Sequence, residues 1–196
     1  SAGGEITFDP ALDGATITLA LTDDTTGDQL PLSNVGDTGA KDVIIDASAL
    51  PNGITIDGAD TSGVFDVTGG VLTINGLTIQ NGNATQGGGV NVNADGGLQL
   101  VDVHITDNTA TNGGGIFGAG SITLVNSTLS GNTATGSGGG VSASSGINVL
   151  NGTFSGNTAS VDGGGLYVNG GSATITNATI AGNSVITGGG GGIARN

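Results

Sequence analysis

The sequence predicts an all-β solenoid, a parallel β-helix with about 25 residues in each coil. Two observations predict it. Segments of strand length with alternating apolar residues recur along the chain, and so do phrases such as LSGNTATGSGGGV and FSGNTASVDGGGL. A recurring phrase is typical of stacked structural units, whereas a catalytic motif normally occurs once. The glycine triplets that mark the period begin at Gly87, Gly113, Gly138, Gly163 and Gly188.

The first two strands of each coil are predicted from segments such as LTINGLTI at 72 and ITLVNSTL at 122. The first and third positions are apolar, so alternate side chains face one interior. The eighth position is also apolar but out of phase, which requires a bend between the two strands. Asparagine recurs at this bend, at Asn126, Asn151 and Asn177.

The third strand follows each glycine triplet, as in VNV at 90, VSA at 141 and LYV at 166. We expect the triplets to turn the chain where a Cβ atom would clash. A second asparagine series precedes them, and we expect it to adopt the left-handed conformation and to form a side-chain hydrogen-bond ladder. Its members are Asn108, Asn132, Asn157 and Asn183.

The N-terminal part of the chain is less regular. The runs VIID at 43, ITID at 54 and VFDV at 64 predict the three strands of one coil. Before them, ITF at 6, ATITLAL at 15 and LPL at 30 predict one or two irregular coils and a cap. We therefore divide one continuous domain into irregular N-terminal coils and a cap (1–41) and regular coils (42–196), with seven or eight coils in total.

Composition and charge exclude several classes of function. The 196 residues carry 16 acidic and 2 basic side chains, a net charge of −14, so binding to nucleic acid or anionic lipid is not expected. No apolar stretch is long enough to insert into a membrane. The absence of cysteine, with little lysine and much Gly, Asn, Ser and Thr, favours an extracellular or cell-surface protein of bacteria or archaea.

The repeats resemble two known groups of proteins. GGGI and FSGN resemble the GGA[ILV] and FxxN repeats of chlamydial polymorphic outer-membrane proteins. The run from ITFDPALDGATITL to VFDVTGGVLTINGLTIQNGNATQGGGV is similar to secreted bacterial β-helix proteins of the CSLREA type. The resemblance implies a single-stranded, right-handed β-helix, and the chlamydial proteins are autotransporter adhesins.

Enzymatic activity is not expected, and a polysaccharide-active enzyme is kept only as a distant third alternative. A pectate-lyase site needs a basic group beside acidic calcium ligands, but Lys41 and Arg195 lie at opposite ends of the predicted rod. A glycosidase needs two carboxylates close together. Glu5 is the only glutamate, and Asp57 and Asp60 are close in sequence, but aspartate commonly ends strands and begins turns. No cofactor is expected, with calcium at Asp57, Asp60 and Asp66 as the alternative, since carboxylates and turn carbonyls suit that ion.

The only histidine, His104, falls in a predicted outward column of threonines that includes Thr78 and Thr128. Doubled threonine columns occur in ice-binding solenoids. We take the adjacent column to be the one that contains Thr73, Gln99 and Thr123, which is only partly threonine and therefore disfavours ice binding.

One predicted outward column carries exposed aromatic side chains, which can stack on sugar rings or fill a partner's pocket. Phe117 and Tyr167 belong to it, together with Asn91 and Ser142. This column is the predicted binding surface of an adhesin for a glycan or a surface protein. That function is the alternative to a structural one.

The main hypothesis is an extracellular structural rod, a cell-surface or fibre subunit that stacks end to end into a head-to-tail homopolymer. The sequence ends within a coil at GGGGGIARN, without a cap, so we expect either that the natural chain continues past Asn196 or that another copy covers the open end. The expected contact residues are Ile6, Phe8, Ile17, Leu19 and Ile193.

Overall fold

The structure is a computed structural model that describes residues 4–19, 30–32 and 42–196. These residues form 26 short strands and one 3-10 turn at Pro10–Leu12, and the described chain contains no α-helix. Every strand pairing is parallel, and successive strands of a sheet come from successive coils. The predicted right-handed parallel β-helix is confirmed.

Three sheets of seven strands form the main walls of the rod. Sheet A consists of Gly4–Thr7, Val43–Asp46, Gly70–Asn75, Gly96–Val101, Ser121–Val125, Ile147–Leu150 and Ala173–Thr176. Sheet B consists of Thr16–Thr18, Ile54–Asp57, Leu77–Gln80, His104–Thr106, Thr128–Ser130, Thr153–Ser155 and Thr179–Ala181. Sheet C consists of Leu30–Leu32, Phe65–Val67, Val90–Val92, Ile116–Gly118, Val141–Ala143, Leu166–Val168 and Ile193–Arg195.

A fourth sheet, sheet D, was not predicted. Its five strands are Asn83–Gln86, Thr109–Asn112, Thr133–Ala134, Thr158–Ala159 and Ser184–Val185. They lie between sheets B and C in five successive coils. The recurring TA dipeptide of the repeat is the signal for this sheet, because its alanine is the inward residue: Ala110, Ala134 and Ala159 are buried.

The rod has about six turns, close to the seven or eight coils predicted. The strands at 43, 54 and 65 form one coil on sheets A, B and C, as the sequence indicates. The described residues upstream belong to the same stack, since Ile6 pairs with Ile45 and Ile17 pairs with Ile56. Residues 4–19 therefore extend sheets A and B by one rung, although 39 positions separate the paired residues here and 25 separate Val141 from Leu166.

The core is a set of apolar columns that run along the rod axis. On sheet A, Leu98 pairs with Ile122 and Ile122 pairs with Ile147, in successive coils. On sheet B, Leu129 pairs with Phe154, and both side chains are fully buried. Each interior column is thus filled by one side chain per rung, as the alternation in the sequence predicts.

The bend between sheets A and B is confirmed at Asn126, Asn151 and Asn177, which have φ angles of 51°, 55° and 53°. The second asparagine series was predicted to be left-handed, and this is wrong. The left-handed residue is the one before it, for example Gly131 before Asn132, with φ 67°. Because the preceding residue makes the turn, the asparagine side chain is free to point into the interior.

The glycine triplets turn the chain as predicted, but the last one is displaced. The first glycine is left-handed, as at Gly138 with φ 73°. In the last coil the left-handed residue is Gly190, and Ile193 pairs with Leu166. The triplet is therefore 190–192, and the two additional glycines, Gly188 and Gly189, precede it rather than follow it.

Candidate functional site

The predicted binding column is an outward column of sheet C. Phe117 pairs with Asn91 on one side and with Ser142 on the other, and Ser142 pairs with Tyr167. The flanking residues of each strand, such as Leu166 and Val168, are buried. The alternation of the strand therefore directs the column outward.

The members of this column differ in accessibility. Phe117 and Tyr167 are half-buried, and the other three aromatic residues of the chain lie in or against the core. Ser142 is only 4% exposed, which contradicts its prediction as a contact residue. It lies in register between two large rings, one on each neighbouring rung, and these leave its hydroxyl group little access to solvent.

Asn91 belongs to a polar network at the N-terminal end of the column. Its Nδ2 atom donates to Asp66 Oδ1 over 2.8 Å, and Asn93 Nδ2 donates to the same oxygen over 2.8 Å. The Oδ1 atom of Asn91 is buried and has no hydrogen-bond partner among the described residues. This network fixes Asn91 and Asp66 as a rigid polar patch next to Phe117.

The three aspartates of the predicted calcium site do not come together. Asp57 is on sheet B, Asp60 lies in the turn that follows it, and Asp66 is on sheet C. Within residues 4–19 and 42–196 no three His, Cys, Asp or Glu side chains are grouped closely enough to hold a metal ion. The structure thus provides no calcium site built from these three carboxylates.

The carboxylate group of Asp57 instead accepts hydrogen bonds from neighbouring residues. Its Oδ2 atom accepts from Gln80 Nε2 at 2.9 Å, and its Oδ1 atom accepts from Ala59 N at 2.8 Å. Asn81 Nδ2 also donates to it. These bonds, that of Gln80 first, lower the pKa of the Asp57 carboxyl group below its ordinary value.

His104 is exposed on sheet B, in register between Thr78 and Thr128, as predicted. The column chosen as its neighbour was wrong, because Thr73, Gln99 and Thr123 belong to sheet A. The outward residues beside His104 and Thr128 on their own strands are Thr106 and Ser130, and this second column also contains Asp57 and Ala181. It is mixed in chemistry, so the conclusion against a doubled threonine face is unchanged.

The predicted assembly residues lie at the two ends of the rod. Ile6 and Ile17 occupy interior columns on the first rung and are 46% and 37% exposed, and Ile193 occupies an interior column on the last rung and is 40% exposed. Phe8 and Leu19 are partly buried against the core. Side chains in the same columns within the rod are buried, so the exposure of these residues arises from their position at an end.

A cleft that the sequence did not predict lies beside Tyr167, on the last rung. Its volume is 440 Å3, and its walls include Asp162 and Arg195. Arg195 is the only basic residue in the described part of the chain, since Lys41 lies outside it. The one sequence signal for this cleft is the pair of additional glycines, which lengthens the last coil.

None of the helical structure in the described residues is long and apolar enough to cross a membrane. In comparisons with known proteins, a family model described as a right-handed β-helix region matches residues 43–195. No curated protein and no solved structure matches the chain.

Proposed function

Because the chain belongs to the right-handed β-helix family, we propose that it is an extracellular structural protein, a non-enzymatic rod that stacks end to end as a cell-surface or fibre subunit. The resemblance to secreted CSLREA-type proteins and to chlamydial outer-membrane repeats supports the location. The observation that carries the proposal is the match between the two end rungs.

Both end rungs present the same three parallel sheets. The N-terminal rung offers Gly4–Thr7, Thr16–Thr18 and Leu30–Leu32, and the C-terminal rung offers the corresponding last strands of sheets A, B and C. A second copy placed head to tail would continue each sheet in parallel, because every pairing in the rod is parallel. Such a contact is heterologous, so it propagates into a filament unless it closes into a ring.

The charge distribution favours this orientation. Twelve of the 16 acidic residues lie within the first 66 residues, whereas residues 108–196 contain only Asp162 and Arg195 as charged side chains. Two N-terminal ends would repel each other, but an N-terminal end and a C-terminal end would not. The asymmetry therefore supports head-to-tail over head-to-head contact.

The role of the end rungs in assembly can be tested with a matched pair of substitutions. Ile17 and Ile44 are both 37% exposed, but Ile17 lies in an interior column of the end rung and Ile44 lies on the outer side of sheet A. We expect Ile17→Lys to abolish concentration-dependent light scattering, because it places a charge in the junction. Ile44→Lys should assemble as the unmodified chain does.

Deletion of residues 1–20 provides a second test, with circular dichroism as the check on folding. It removes the outermost strands of sheets A and B, so assembly should weaken or change. A strictly monomeric unmodified chain at high concentration would contradict the proposal, and so would undiminished filaments in the folded deletion variant.

The aromatic column favours a second candidate function, adhesion. Phe117 and Tyr167 are outward aromatic residues on one face of sheet C, and rings of this kind are enriched where proteins bind partners. An adhesin would recognise a glycan or a surface protein along this face. Binding by the monomeric chain, without filaments, would favour adhesion over the structural role.

A further inference from the structure

One boundary between neighbouring coils is bridged by a carboxylate group at each of the three main sheets. It lies between the coil of residues 42–66 and the coil of residues 70–93, which pair in register on sheets A, B and C. The earlier coil supplies the acceptors, and the later coil supplies the N–H donors. The acceptors are Asp42 next to sheet A, Asp57 on sheet B and Asp66 on sheet C.

The donors on the later coil are all uncharged amide groups. Asp42 Oδ1 accepts from Val71 N over 2.9 Å. Asp57 Oδ2 accepts from Gln80 Nε2 over 2.9 Å. Asp66 Oδ1 accepts from two asparagine side chains of this coil, each over 2.8 Å. Hydrogen bonds to an ionised carboxylate are roughly twice as strong as those between neutral groups, so these contacts are strongest while the aspartates are charged.

The boundaries that follow are joined by neutral side chains instead. Asn108 Oδ1 accepts from Gly82 N over 2.8 Å, and Asn108 begins the buried series of asparagines that donate to one another from coil to coil. Asp162 also bonds the coil after it, but Asn157 and Asn183 join the same two coils. A side-chain amide does not titrate between neutral and acidic pH, so acid acts selectively on the earlier boundary.

The titratable side chains around this boundary are all acidic in the part of the chain that the structure describes. Residues 67–94 contain none, and those from Asp95 to His104 belong to the coil beyond. Protonation therefore has two opposed consequences, because it weakens the bridging hydrogen bonds and relieves repulsion between like charges. The other carboxylates on the earlier side are Glu5, Asp9, Asp13, Asp46 and Asp60.

The pKa of Asp57 indicates which consequence is larger. The hydrogen bond from Gln80 is the main cause that lowers the pKa of the Asp57 carboxyl group below its ordinary value of 3.8, although burial raises it. Asp46, on the same coil, also has a lowered pKa, mainly through hydrogen bonds from Ser48. A group whose folded pKa is lowered stabilises the fold above its unfolded pKa, and this stabilisation is lost as the pH falls through the folded pKa.

We propose that this boundary is an acid-sensitive joint, at which the coils that precede residue 67 separate from the rest of the rod when Asp42, Asp57 and Asp66 are protonated. A solenoid is stabilised by contacts between nearest-neighbour coils, so the coils on one side of a weakened interface open while the other side stays folded. The inference goes beyond end-to-end stacking and adhesion and is independent of both, since it concerns a boundary within the rod.

Hydrogen–deuterium exchange of the whole chain, followed by mass spectrometry, tests the joint. Amide protection is compared at neutral pH and below pH 3.8, after correction for the effect of pH on the intrinsic exchange rate. We expect the protection of peptides from residues 43–67 to fall at least about tenfold in acid. The protection of peptides from residues 122–168 should change by less than about twofold.

A triple variant with asparagine at the three bridging positions tests the cause. Asp42→Asn, Asp57→Asn and Asp66→Asn remove the titration and keep an amide oxygen as the acceptor. The acid-induced loss of protection before residue 67 should then be less than about threefold. Asp95→Asn and Asp102→Asn are the controls, because both aspartates are exposed on the coil beyond, and these variants should respond to acid as the unmodified chain does.

Equal loss of protection on both sides of residue 67, or no loss on either side, would overturn the proposal. An unchanged acid response in the triple variant would also overturn it, because the bridging carboxylates would then not be the cause. The comparison of the two segments uses the unmodified chain, so it decides the matter even where the triple variant fails to fold.

Discussion

At the residue scale, hydrogen bonds between buried asparagine side chains hold neighbouring coils in register. Asn132 Nδ2 donates to Asn157 Oδ1 over 2.9 Å, and Asn108 Nδ2 donates to Asn132 Oδ1 over 3.0 Å. Each side chain also bonds backbone groups, as Asn132 Nδ2 does with Ile105 O over 2.9 Å. A shift of one coil by a single residue would leave these buried amides without hydrogen-bond partners, which would lower the stability of the fold.

Replacement of one asparagine of this ladder should therefore be strongly destabilising. In Asn132→Ala the N–H groups of Asn108 lose their acceptor, and the carbonyl group of Ile105 loses a donor. We expect the free energy of unfolding to fall by about 3 kcal/mol, measured by urea denaturation. Asn148→Ala, at an exposed position on sheet A, is the matched control and should cost less than about 0.5 kcal/mol.

The assignment of sheet B side chains to the interior or to the surface can be tested with one substitution in each of two adjacent columns. Phe154 is fully buried, so Phe154→Asp places an unpaired charge in the core and should prevent folding or lower stability by more than about 4 kcal/mol. His104→Thr changes an exposed column and should leave the melting temperature nearly unchanged. Equal melting temperatures of the two variants would show that the assignment is wrong.

Asp57 gives stability a dependence on acidic pH. Its pKa is lowered in the folded state by hydrogen bonds from Gln80 and Ala59, from an ordinary value of 3.8. A group with a lowered folded pKa stabilises the protein above its unfolded pKa, and this stabilisation is lost as the pH falls below it. Stability should therefore decrease as the pH falls below about 3.8, and the decrease should be smaller in Asp57→Asn. A variant with the same acid dependence as the unmodified chain would contradict this.

At the scale of the elements, strands were more predictable than turns. Columns such as Leu129 with Phe154 follow from alternation alone, because a buried face needs an apolar residue at every second position. Sheet D was missed because its strands are as short as two residues and its inward residue is alanine, which weakens the apolar signal. The displaced last triplet could not be located either, since five consecutive glycines allow more than one alignment.

The candidate site was predictable only in part for a related reason. Register placed Phe117 and Tyr167 in one outward column, as the sequence predicts. The burial of Ser142 depends on the size of the two rings beside it, which a column assignment does not include. The cleft at Asp162 and Arg195 depends on a loop between coils, and the repeat pattern carries no information about such a loop.

A substitution at the middle glycine of a triplet tests whether close packing of the backbone requires glycine at the turn into sheet C. A Cβ atom on Gly139 would lie 2.5 Å from the carbonyl oxygen of Thr158, so Gly139→Ala requires the backbone to shift. We expect a loss of about 2–3 kcal/mol in urea denaturation. Gly146→Ala is the control, because its Cβ would meet its nearest neighbour at 3.7 Å. Similar losses of unfolding free energy in both variants would exclude close packing as the reason why glycine occupies these positions.

At the scale of the whole molecule, the two ends of the rod differ in two respects. All strands are parallel, so its two ends present different edges of the same three sheets. Its acidic residues are concentrated in the N-terminal third of the chain, and its C-terminal part is nearly uncharged. A rod whose two ends can continue each other's sheets, and of which only the N-terminal ends repel one another, is suited to head-to-tail growth.

Electron microscopy of the purified chain at high concentration tests this central claim most directly. The account predicts filaments one rod wide, with an axial repeat of about 34 Å, because each copy adds seven rungs at about 4.8 Å. Filaments of this repeat should be absent from Ile17→Lys and present in Ile44→Lys. Single particles at every concentration, or filaments whose repeat differs from the length of one rod, would contradict end-to-end stacking.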